Sequence, residues 1–383
     1  MVGTRRDFGR GYWNGAGMLE PDEINPIQAL VAGRGGVSFR DFMELALYHP
    51  DLGYYGAGRA ALGRKGDFFT NVSVGPVFGR LMGTQFREMW ERLGRPEGFT
   101  IVEQGANDGT FAADVLGWCG EEAPDFYGAM RYGIVEGIEV LRERQIEKLA
   151  GFPGKIEWWN KVLEVPAVAG IHFSNELIDA FPVHLLRFTD GEWRELWVTG
   201  EMGWREELVR EAGLLAALEG VPRIEGYTTE VNLDARGWAR EVAERIERGW
   251  VLIIDYGYPW ERYYPPERAR GTLECYAGHV KGLDPLARAG FCDLTAHVEF
   301  TSVARAFEEN GMGLAGYTDQ HHFLTGLLAG AFGDRPPTAK EARELKTLLH
   351  PEMLGTSFQV LAVGKGVPDG KLSGFQYARG DRP

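Results

Sequence analysis

One stretch of the sequence decides the fold: Ile101-Val102-Glu103-Gln104-Gly105-Ala106-Asn107-Asp108-Gly109-Thr110-Phe111. A β-rich run over residues 100–103 leads into a turn whose two glycines lie four residues apart, and a helix pattern over 111–118 follows directly. A strand, a glycine-containing turn and a helix in this order form the first unit of a nucleotide-binding α/β sheet. Such a sheet requires strands and helices to alternate along the rest of the chain.

Strand and helix patterns do alternate after this stretch. Apolar runs predict strands over 132–136, 155–159, 170–174, 250–254, 314–317 and 357–363. Apolar residues spaced three and four apart predict helices over 138–149, 235–248, 301–310, 321–328 and 338–349. We therefore predict an α/β protein with a doubly wound, Rossmann-like sheet.

The chain divides into five predicted segments. They are a helical N-terminal segment (1–97), a ligand-binding α/β core (98–182), an antiparallel excursion (183–230), the remainder of the core (231–366) and a frayed tail (367–383). The N-terminal segment contains a glycine-rich loop (53–66) that is a candidate lid, and the second part of the core contains an irregular insertion (258–300). The excursion is predicted because Asp190-Gly191 separates two alternating runs, which is a hairpin signal.

Composition excludes some classes of protein. The net charge of −14 argues against nucleic-acid binding, which needs a basic surface for phosphates.

The three cysteines, Cys119, Cys275 and Cys292, are scattered and form no CxxC pair, which favours a reducing compartment and hence the cytoplasm. No apolar run approaches the roughly 18 residues of a membrane span. No His or Cys spacing indicates a metal site, because the adjacent pair His321-His322 cannot readily face one ion.

The turn favours one cofactor over another. A dinucleotide turn of the G-x-G-x-x-G type would need glycines where Asn107 and Thr110 stand, so NAD is disfavoured. Binders of S-adenosylmethionine use a G-x-G-x-G turn after an acidic strand end, and Gly105 and Gly109 occupy its first and last positions. Asn107 replaces the middle glycine, and Asn enters left-handed backbone geometry more readily than most residues. We predict that S-adenosylmethionine binds at Glu103, Gly105, Ala106, Asn107 and Gly109; the alternative is a glycine turn that binds nothing.

A second carboxylate supports the same cofactor. Glu136 ends an apolar strand, Ile134-Val135-Glu136, 27 residues after Gly109. A carboxylate at the tip of the second strand can accept hydrogen bonds from both ribose hydroxyls. The alternative is an acidic residue that stabilises the N-terminus of the next helix. We predict the ribose role for Glu136.

Many short motifs resemble the MidA-like family of class I S-adenosylmethionine-dependent methyltransferases, which includes a mitochondrial complex I assembly arginine methyltransferase. The marks, spread over residues 39–364, are Leu47-Tyr48-His49-Pro50, Gly53-Tyr54-Tyr55, Gly66-Asp67-Phe68-Phe69-Thr70, Phe78-Gly79, Val135-Glu136, Leu141-Arg142, Gln145, Asn175-Glu176-Leu177-Ile178-Asp179-Ala180-Phe181-Pro182, Ile254-Asp255-Tyr256-Gly257, Arg270-Gly271-Thr272-Leu273, His279, Asp293-Leu294-Thr295-Ala296-His297-Val298, Phe300, Gln320 and Phe323-Leu324. The resemblance implies a class I methyltransferase sheet and methyl transfer, with protein arginine as the acceptor.

Two carboxylates are predicted to hold such an acceptor. A guanidinium stays protonated, so carboxylates must orient it. Glu176 and Asp179 follow a strand end and could form this clamp, with Asn175 toward the cofactor; the alternative is a solvated Glu176 and a turn-capping Asp179. Asp67 and Thr70 directly follow the glycine-rich loop, in the part of the N-terminal segment that could fold over the cofactor as a lid, and they are predicted cofactor contacts. Asp255, Arg270, His279, Asp293 and His297 match family marks, but the sequence assigns them no chemistry.

Three functions remain open at the level of sequence. The first is a protein arginine N-methyltransferase, the second a small-molecule methyltransferase, and the third a cofactor-binding assembly factor with little turnover. The partner is accordingly either an acceptor protein or a small molecule, and the sequence does not determine the oligomeric state.

Overall fold

The computed structural model describes residues 25–59, 70–277, 280–380 and 382–383. Its helices are α1 (Pro26–Gly33), α2 (Phe39–Tyr48), α3 (Asn71–Val74), α4 (Val77–Arg92), α5 (Thr110–Glu122), α6 (Pro124–Ala129), α7 (Glu139–Lys148), α8 (Ala212–Ala217), α9 (Asp234–Arg245), α10 (Trp260–Tyr263), α11 (Phe300–Glu309), α12 (Gln320–Phe332) and α13 (Ala339–Leu349). Its strands are β1 (Val37–Ser38), β2 (Phe99–Gln104), β3 (Met130–Val135), β4 (Ile156–Trp159), β5 (Val168–Asn175), β6 (His184–Thr189), β7 (Glu192–Val198), β8 (Trp204–Leu208), β9 (Thr228–Val231), β10 (Ile246–Tyr258), β11 (Glu274–Ala277), β12 (Val280–Lys281), β13 (Asp293–Thr295), β14 (Val298–Glu299), β15 (Gly313–Asp319) and β16 (Phe358–Lys365).

The central sheet has the predicted doubly wound form. Its strands lie in the order β15-β16-β10-β5-β2-β3-β4, and β14 adds to β10. The strands from β4 to β10 run parallel, and β16 is antiparallel to both of its neighbours. The chain moves outward from β2 through β3 to β4 and then returns to β5 on the other side of β2. The carboxyl ends of β2 and β5 therefore flank the point where the strand order reverses, which is where ligands bind in such sheets.

Both faces of this sheet are buried, which explains the continuous apolar runs in its strands. Along β10, Trp250, Leu252 and Ile254 face one core, whereas Val251 and Ile253 face the other. Helices α4, α5 and α12 cover the first face, and α9 and α11 cover the second. A strand covered on both sides has no polar alternation, as expected for a parallel sheet between helical layers.

The predicted hairpin becomes part of a larger antiparallel sheet. Strands β6 and β7 pair around the turn at Asp190, and β9, β8 and β1 extend them to five strands. The pairing of β1 with β7 attaches the N-terminal segment to this sheet. Val37, Phe42 and Leu45 of that segment bury their side chains in the same apolar cluster as Leu196 and Val198.

Three sequence predictions differ from the structure. The helix predicted over 235–248 ends at Arg245, and β10 begins at Ile246 because this residue already pairs with Val168 of β5. The insertion predicted to be irregular holds the three-stranded sheet β12-β11-β13 and the helix α10. The predicted frayed tail is wrong as well: Leu372 and Phe375 are 1% exposed and join the main core. A short tail carrying two large apolar residues stays ordered because it buries them.

Candidate active site

A cavity of about 1090 Å³ opens at the carboxyl edge of the central sheet. Its walls come from the turn after β2, the ends of β3 and β5, the N-terminal segment, helix α9 and the insertion. The described lining residues include nine Asp or Glu side chains and one arginine, Arg40, which is paired with Asp234. The cavity therefore has two properties of interest: a position at the switch point of the sheet and a strong excess of carboxylates.

The turn after β2 has the backbone geometry that its sequence predicts. Gly105, Asn107 and Gly109 have φ values of 82°, 44° and 81°, so all three adopt the left-handed region. Asn107 therefore adopts the left-handed conformation that favours glycine, as expected for Asn. Asp108 Oδ1 accepts a hydrogen bond from Thr110 N at 3.0 Å and closes the turn onto α5. Residues 103–108 all line the cavity, so the backbone of the turn faces the ligand space.

Two predicted carboxylates lie at this end of the cavity. Glu103 is 4% exposed and accepts a hydrogen bond from Tyr132 Oη at 2.8 Å. Burial raises the pKa of Glu103 to about 8. Glu136 accepts hydrogen bonds from Ile138 N at 2.9 Å and from Gln145 Nε2 at 3.0 Å, and burial also raises its pKa. Glu136 thus lines the cavity and also satisfies a backbone donor near the start of α7, which is the alternative role from the sequence; the ribose role stays a prediction.

Glu176 follows the end of β5 and lines the same cavity in a strained conformation. Its φ of 54° is left-handed, which costs a non-glycine residue of order 1–3 kcal/mol and is typical of functional sites. Its Oε1 accepts hydrogen bonds from Asn175 Nδ2 at 2.9 Å and from Asn71 N at 3.3 Å. Burial raises the pKa of Glu176 to about 8, and the nearby Asp255 adds to the effect.

Asp179 lies near Glu176 at what we call the acidic end of the cavity, and two acidic residues to which the sequence assigned no role, Asp255 and Asp293, lie close to it. Burial, followed by the charges of Asp255, Glu176 and Asp293, raises the pKa of Asp179 well above its usual range. Asp255, fully buried on β10, accepts hydrogen bonds from the backbone N–H groups of 177–179 and of Tyr256. Asp255 therefore fixes the turn that carries Glu176 and Asp179. Asp293 lines the cavity and accepts a hydrogen bond from Tyr55 Oη at 2.8 Å.

A chain of buried amides holds Glu176 from the far side. Gln320 Nε2 donates to Asn71 Oδ1 at 2.8 Å, and Asn71 Nδ2 donates to Asn175 Oδ1 at 3.0 Å. Asn175 then donates to Glu176, so helices α12 and α3 both support this carboxylate. Sequence reasoning missed Asn71, although it directly follows a family mark, because an isolated Asn after a loop carries no recognisable pattern.

Aromatic side chains enclose the acidic end of the cavity. Tyr48, Tyr55, Tyr256, Tyr276 and His297 all line it. Tyr48 Oη donates to Ala180 O at 2.8 Å, and its ring stacks on that of Tyr55 with centroids 5.7 Å apart. Burial lowers the pKa of His297 to about 4, so this imidazole is neutral at pH 7. The aromatic walls restrict water around the carboxylates, which strengthens their attraction for a cation.

The remaining predicted residues divide into three groups. Thr70 lines the cavity and caps α3, where its Oγ1 accepts a hydrogen bond from Ser73 N at 3.2 Å. Asp67 and His279 lie outside the described residues, so the candidate lid is described only in part. Arg270 is exposed and does not contact the cavity. Within the described part of the chain, no group of three or more His, Cys, Asp or Glu residues is placed to hold a metal ion.

The cavity suits S-adenosylmethionine in shape and chemistry. Left-handed backbone borders it at the turn, and Glu136 offers a carboxylate at the tip of the second strand of the sheet core. The reversed strand order and the single antiparallel strand β16 complete the sheet of a class I methyltransferase. The protein is an S-adenosylmethionine-dependent methyltransferase with a class I fold.

The chain belongs to the family described as "Putative S-adenosyl-L-methionine-dependent methyltransferase", whose model matches residues 81–318. The Drosophila melanogaster protein arginine methyltransferase NDUFAF7 homolog, mitochondrial, is 29% identical over 89% of this chain and 84% of its own length. Human protein arginine methyltransferase NDUFAF7, mitochondrial, is 26% identical over 95% of this chain and 88% of its own. These matches confirm the resemblance to the MidA-like family.

A solved structure agrees with the whole fold. The crystal structure of a COG1565 superfamily member from Burkholderia thailandensis, bound to S-adenosyl-homocysteine, is 29% identical to this chain. It superposes with a TM-score of 0.82 and covers 93% of this chain and 95% of its own. The same fold, at this identity and coverage, therefore holds the demethylated cofactor, and the predicted cofactor class is confirmed.

Proposed function

We propose that this methyltransferase transfers the methyl group of S-adenosylmethionine to the guanidinium of a protein arginine. The observation that carries the proposal is the acidic end of the cavity, where Glu176, Asp179 and Asp293 line the ligand space, and the fully buried Asp255 accepts hydrogen bonds from the turn after Glu176. Carboxylates packed this closely are stabilised by a bound cation, because like charges in a buried site oppose one another. The names of the relatives, which specify arginine methylation in those proteins, support the same acceptor.

The cofactor end of the cavity supplies orientation. We propose that Gly105, Ala106 and Asn107 present backbone to the amino-acid part of the cofactor, and that Glu136 accepts hydrogen bonds from the ribose of the cofactor. Gly109 does not line the cavity; it packs against Gln145 and Leu149, and we propose that it completes the turn that holds the cofactor. Glu103 and Asn175 border the same space and complete the predicted contacts. Thr70 lines the wall beside them, and Asp67 keeps its predicted lid role. When bound, the cofactor supplies an electrophilic methyl group on a sulfonium, so the protein needs only to position and polarise the acceptor.

The acidic end supplies the acceptor chemistry. We propose that Glu176 and Asp179 bind the guanidinium as a bidentate clamp and turn one nitrogen toward the methyl group. A guanidinium bound beside Glu176 lowers the pKa of this carboxyl, which burial otherwise raises to about 8, and so keeps it ionised in the complex. Methylation of the nitrogen releases one proton, and Glu176 is the group placed to receive it. Asp255 has a positioning role, because its carboxylate is occupied by backbone N–H groups.

The test is transfer of a labelled methyl group. Purified protein incubated with labelled S-adenosylmethionine and a cell lysate is expected to label a protein band whose hydrolysate contains methylarginine. The Glu176→Gln variant is expected to lower labelling by about 100-fold, because it removes one charge of the clamp and the proton acceptor. Glu121→Gln, at an exposed position of α5, is the matched control and should label normally.

Three outcomes would contradict the proposal in different ways. Label found only in small molecules would identify a metabolite methyltransferase. Cofactor binding without any methyl product would identify an assembly factor with little turnover. Labelling of a protein at a residue other than arginine would retain the enzyme class and reject the acceptor.

The cellular location stays a prediction. The sequence favoured the cytoplasm on the scattered cysteines, whereas the names of the curated relatives place those proteins in mitochondria. Among the described residues, no helix is both long enough and apolar enough to cross a bilayer. Fractionation of cells that express a tagged chain would decide between the two compartments.

A further inference from the structure

Gln145 occupies a central position beneath the cofactor end of the cavity. This residue lies on α7 and is fully buried. Its Nε2 donates to the carbonyl oxygen of Asn107 at 2.8 Å and to Glu136 Oε2 at 3.0 Å. Its Oε1 accepts a hydrogen bond from Trp158 Nε1 at 3.1 Å. The side chain of Gln145 therefore contacts the turn at Asn107 and the carboxylate of Glu136, which are both proposed to hold the cofactor. It also contacts Trp158 on the neighbouring strand β4.

These contacts determine which way the amide faces. Two acceptors, a carbonyl and a carboxylate, lie on one side, and the indole donor lies on the other. A rotation of the amide by 180° would place its oxygen against two other oxygens and its nitrogen against an N–H group. A glutamine in this orientation satisfies all three neighbours, whereas Glu, Met or Leu at this position would leave at least one buried polar group unpaired.

Gln145 also packs against the turn itself. A Cβ atom added at Gly109 would lie 3.4 Å from Gln145 Cα and 3.5 Å from its Cγ, so α7 approaches the turn closely at this point. The carbonyl of Asn107 reaches Gln145 because Asn107 is left-handed, with a φ of 44°. Asn107 and Gln145 thus form a matched pair: the unusual backbone presents an oxygen that the buried amide receives.

We propose that Gln145 is a positioning residue for the cofactor, which fixes the distance and orientation between the Asn107 turn and the Glu136 carboxylate. The inference rests on the proposed cofactor contacts of these two residues but not on the acceptor. It gives Gln145 a function in binding, in addition to its contribution to the core, because both of its acceptors lie beyond the ends of strands β3 and β2. Glu136 follows the last residue of β3, and Asn107 lies in the middle of a turn.

The test compares two fully buried glutamines. Gln145→Met keeps the size of the side chain and removes its hydrogen bonds, and is expected to weaken S-adenosyl-homocysteine binding, measured by calorimetry, by about 10- to 100-fold. Gln85→Met is the matched control: Gln85 is equally buried on α4 but bonds to Glu88 and Gly374, away from the cavity. Both variants should lose thermal stability, and only Gln145→Met should lose affinity.

A pH series separates positioning from general damage. Gln145 donates to the carboxylate of Glu136, so its removal raises the pKa of Glu136. Ribose hydroxyls need the ionised form as acceptor, and affinity therefore falls as the pH falls through this pKa. As the pH is lowered, the affinity of Gln145→Met for S-adenosyl-homocysteine is expected to start falling at a higher pH than that of wild type. The affinity of Gln85→Met should start falling at the same pH as that of wild type. Gln145→Asn stays polar but is one methylene too short to reach both acceptors, so its affinity should fall as that of Gln145→Met does. This variant replaces Gln145→Met in the test if the methionine variant does not fold.

Two results distinguish the failure of this inference from the failure of its basis. If Glu136→Ala lowers affinity but Gln145→Met binds S-adenosyl-homocysteine within twofold of wild type, Gln145 has no positioning role. If Glu136→Ala itself binds normally, the proposed cofactor contacts are wrong and the inference about Gln145 falls with them. Equal losses of affinity in Gln145→Met and Gln85→Met would show that stability alone explains the effect.

Discussion

At the scale of single residues, the site combines unusual backbone with buried charge. Asn107 and Glu176 are both left-handed, and each stands at a strand-to-loop transition that borders the cavity. Asn107 tolerates this geometry, whereas Glu176 does so at a cost that its hydrogen bonds to Asn71 and Asn175 offset. The left-handed backbone and these two hydrogen bonds therefore hold the Glu176 carboxylate at a defined position in the cavity wall.

The raised pKa of Glu176 predicts a pH-dependent stability. The pKa is about 8 in the folded protein, above the value of roughly 4.3 for an unfolded chain, so the folded state binds the extra proton. This contribution is fully present below about pH 4 and is lost as the pH rises toward 8. Glu176→Gln cannot ionise, so on going from pH 5 to pH 9 its unfolding free energy should rise by about 4 kcal/mol relative to that of wild type, which loses this contribution over the same range.

Urea denaturation of both proteins at the two pH values measures this difference. Glu121→Gln, on the exposed side of α5, should have the same unfolding free energy as wild type at both pH values. A difference between Glu176→Gln and wild type that does not change with pH would show that this carboxyl titrates normally in the folded protein.

At the scale of elements, the end of the chain contributes to the core. The 3-10 turn Ser373–Phe375 places the ring of Phe375 5.1 Å from that of Phe323 on α12. Gly316 on β15 leaves the space for this ring, since a Cβ there would lie 2.4 Å from it. Gln85 on α4 accepts a hydrogen bond from Gly374 N at 3.1 Å. The tail thus joins two helices and the edge strand of the central sheet.

Removal of this ring should destabilise the whole domain. Phe375→Ala creates a cavity in a core position that is 1% exposed, and we expect the unfolding free energy to fall by about 3–5 kcal/mol. Tyr377→Ala removes a ring of similar size that is 54% exposed, and should change stability by less than about 0.5 kcal/mol. Denaturant titration of the two variants tests this; similar small losses in both would mean that the tail detaches in solution.

At the scale of the whole molecule, distant segments build one acidic cavity. The hydrogen bond from Tyr55 to Asp293 joins residues 238 positions apart, and that from Asn71 to Asn175 spans 104. The N-terminal segment and the insertion therefore both cover the sheet edge at the same place. The net charge of −14 adds a long-range field of the same sign as the cavity, which favours the approach of a cationic acceptor.

Such a field predicts a selective effect of salt. An increase from about 0.05 to 0.3 M NaCl should raise the KM for the acceptor protein several-fold, because screening shortens the range of attraction between exposed charges. Affinity for S-adenosyl-homocysteine should change little, since its proposed contacts are short and partly buried. Steady-state kinetics with the labelled acceptor, beside calorimetry with S-adenosyl-homocysteine, measures the two quantities. An acceptor KM that is independent of salt would contradict steering by the acidic surface.

The sequence by itself determined the local features of this protein. The strand–turn–helix unit, the left-handed Asn107 and the doubly wound sheet follow from hydrophobic patterns and turn chemistry, which act over a few residues. Tertiary structure alone decided the rest: that Asp255 and Asp293 join Glu176 and Asp179, that Asn71 supports Glu176, and that Phe375 completes the core. These relations depend on pairings between segments far apart in the chain, and no local pattern encodes which distant side chain will fill a given space or share a buried charge.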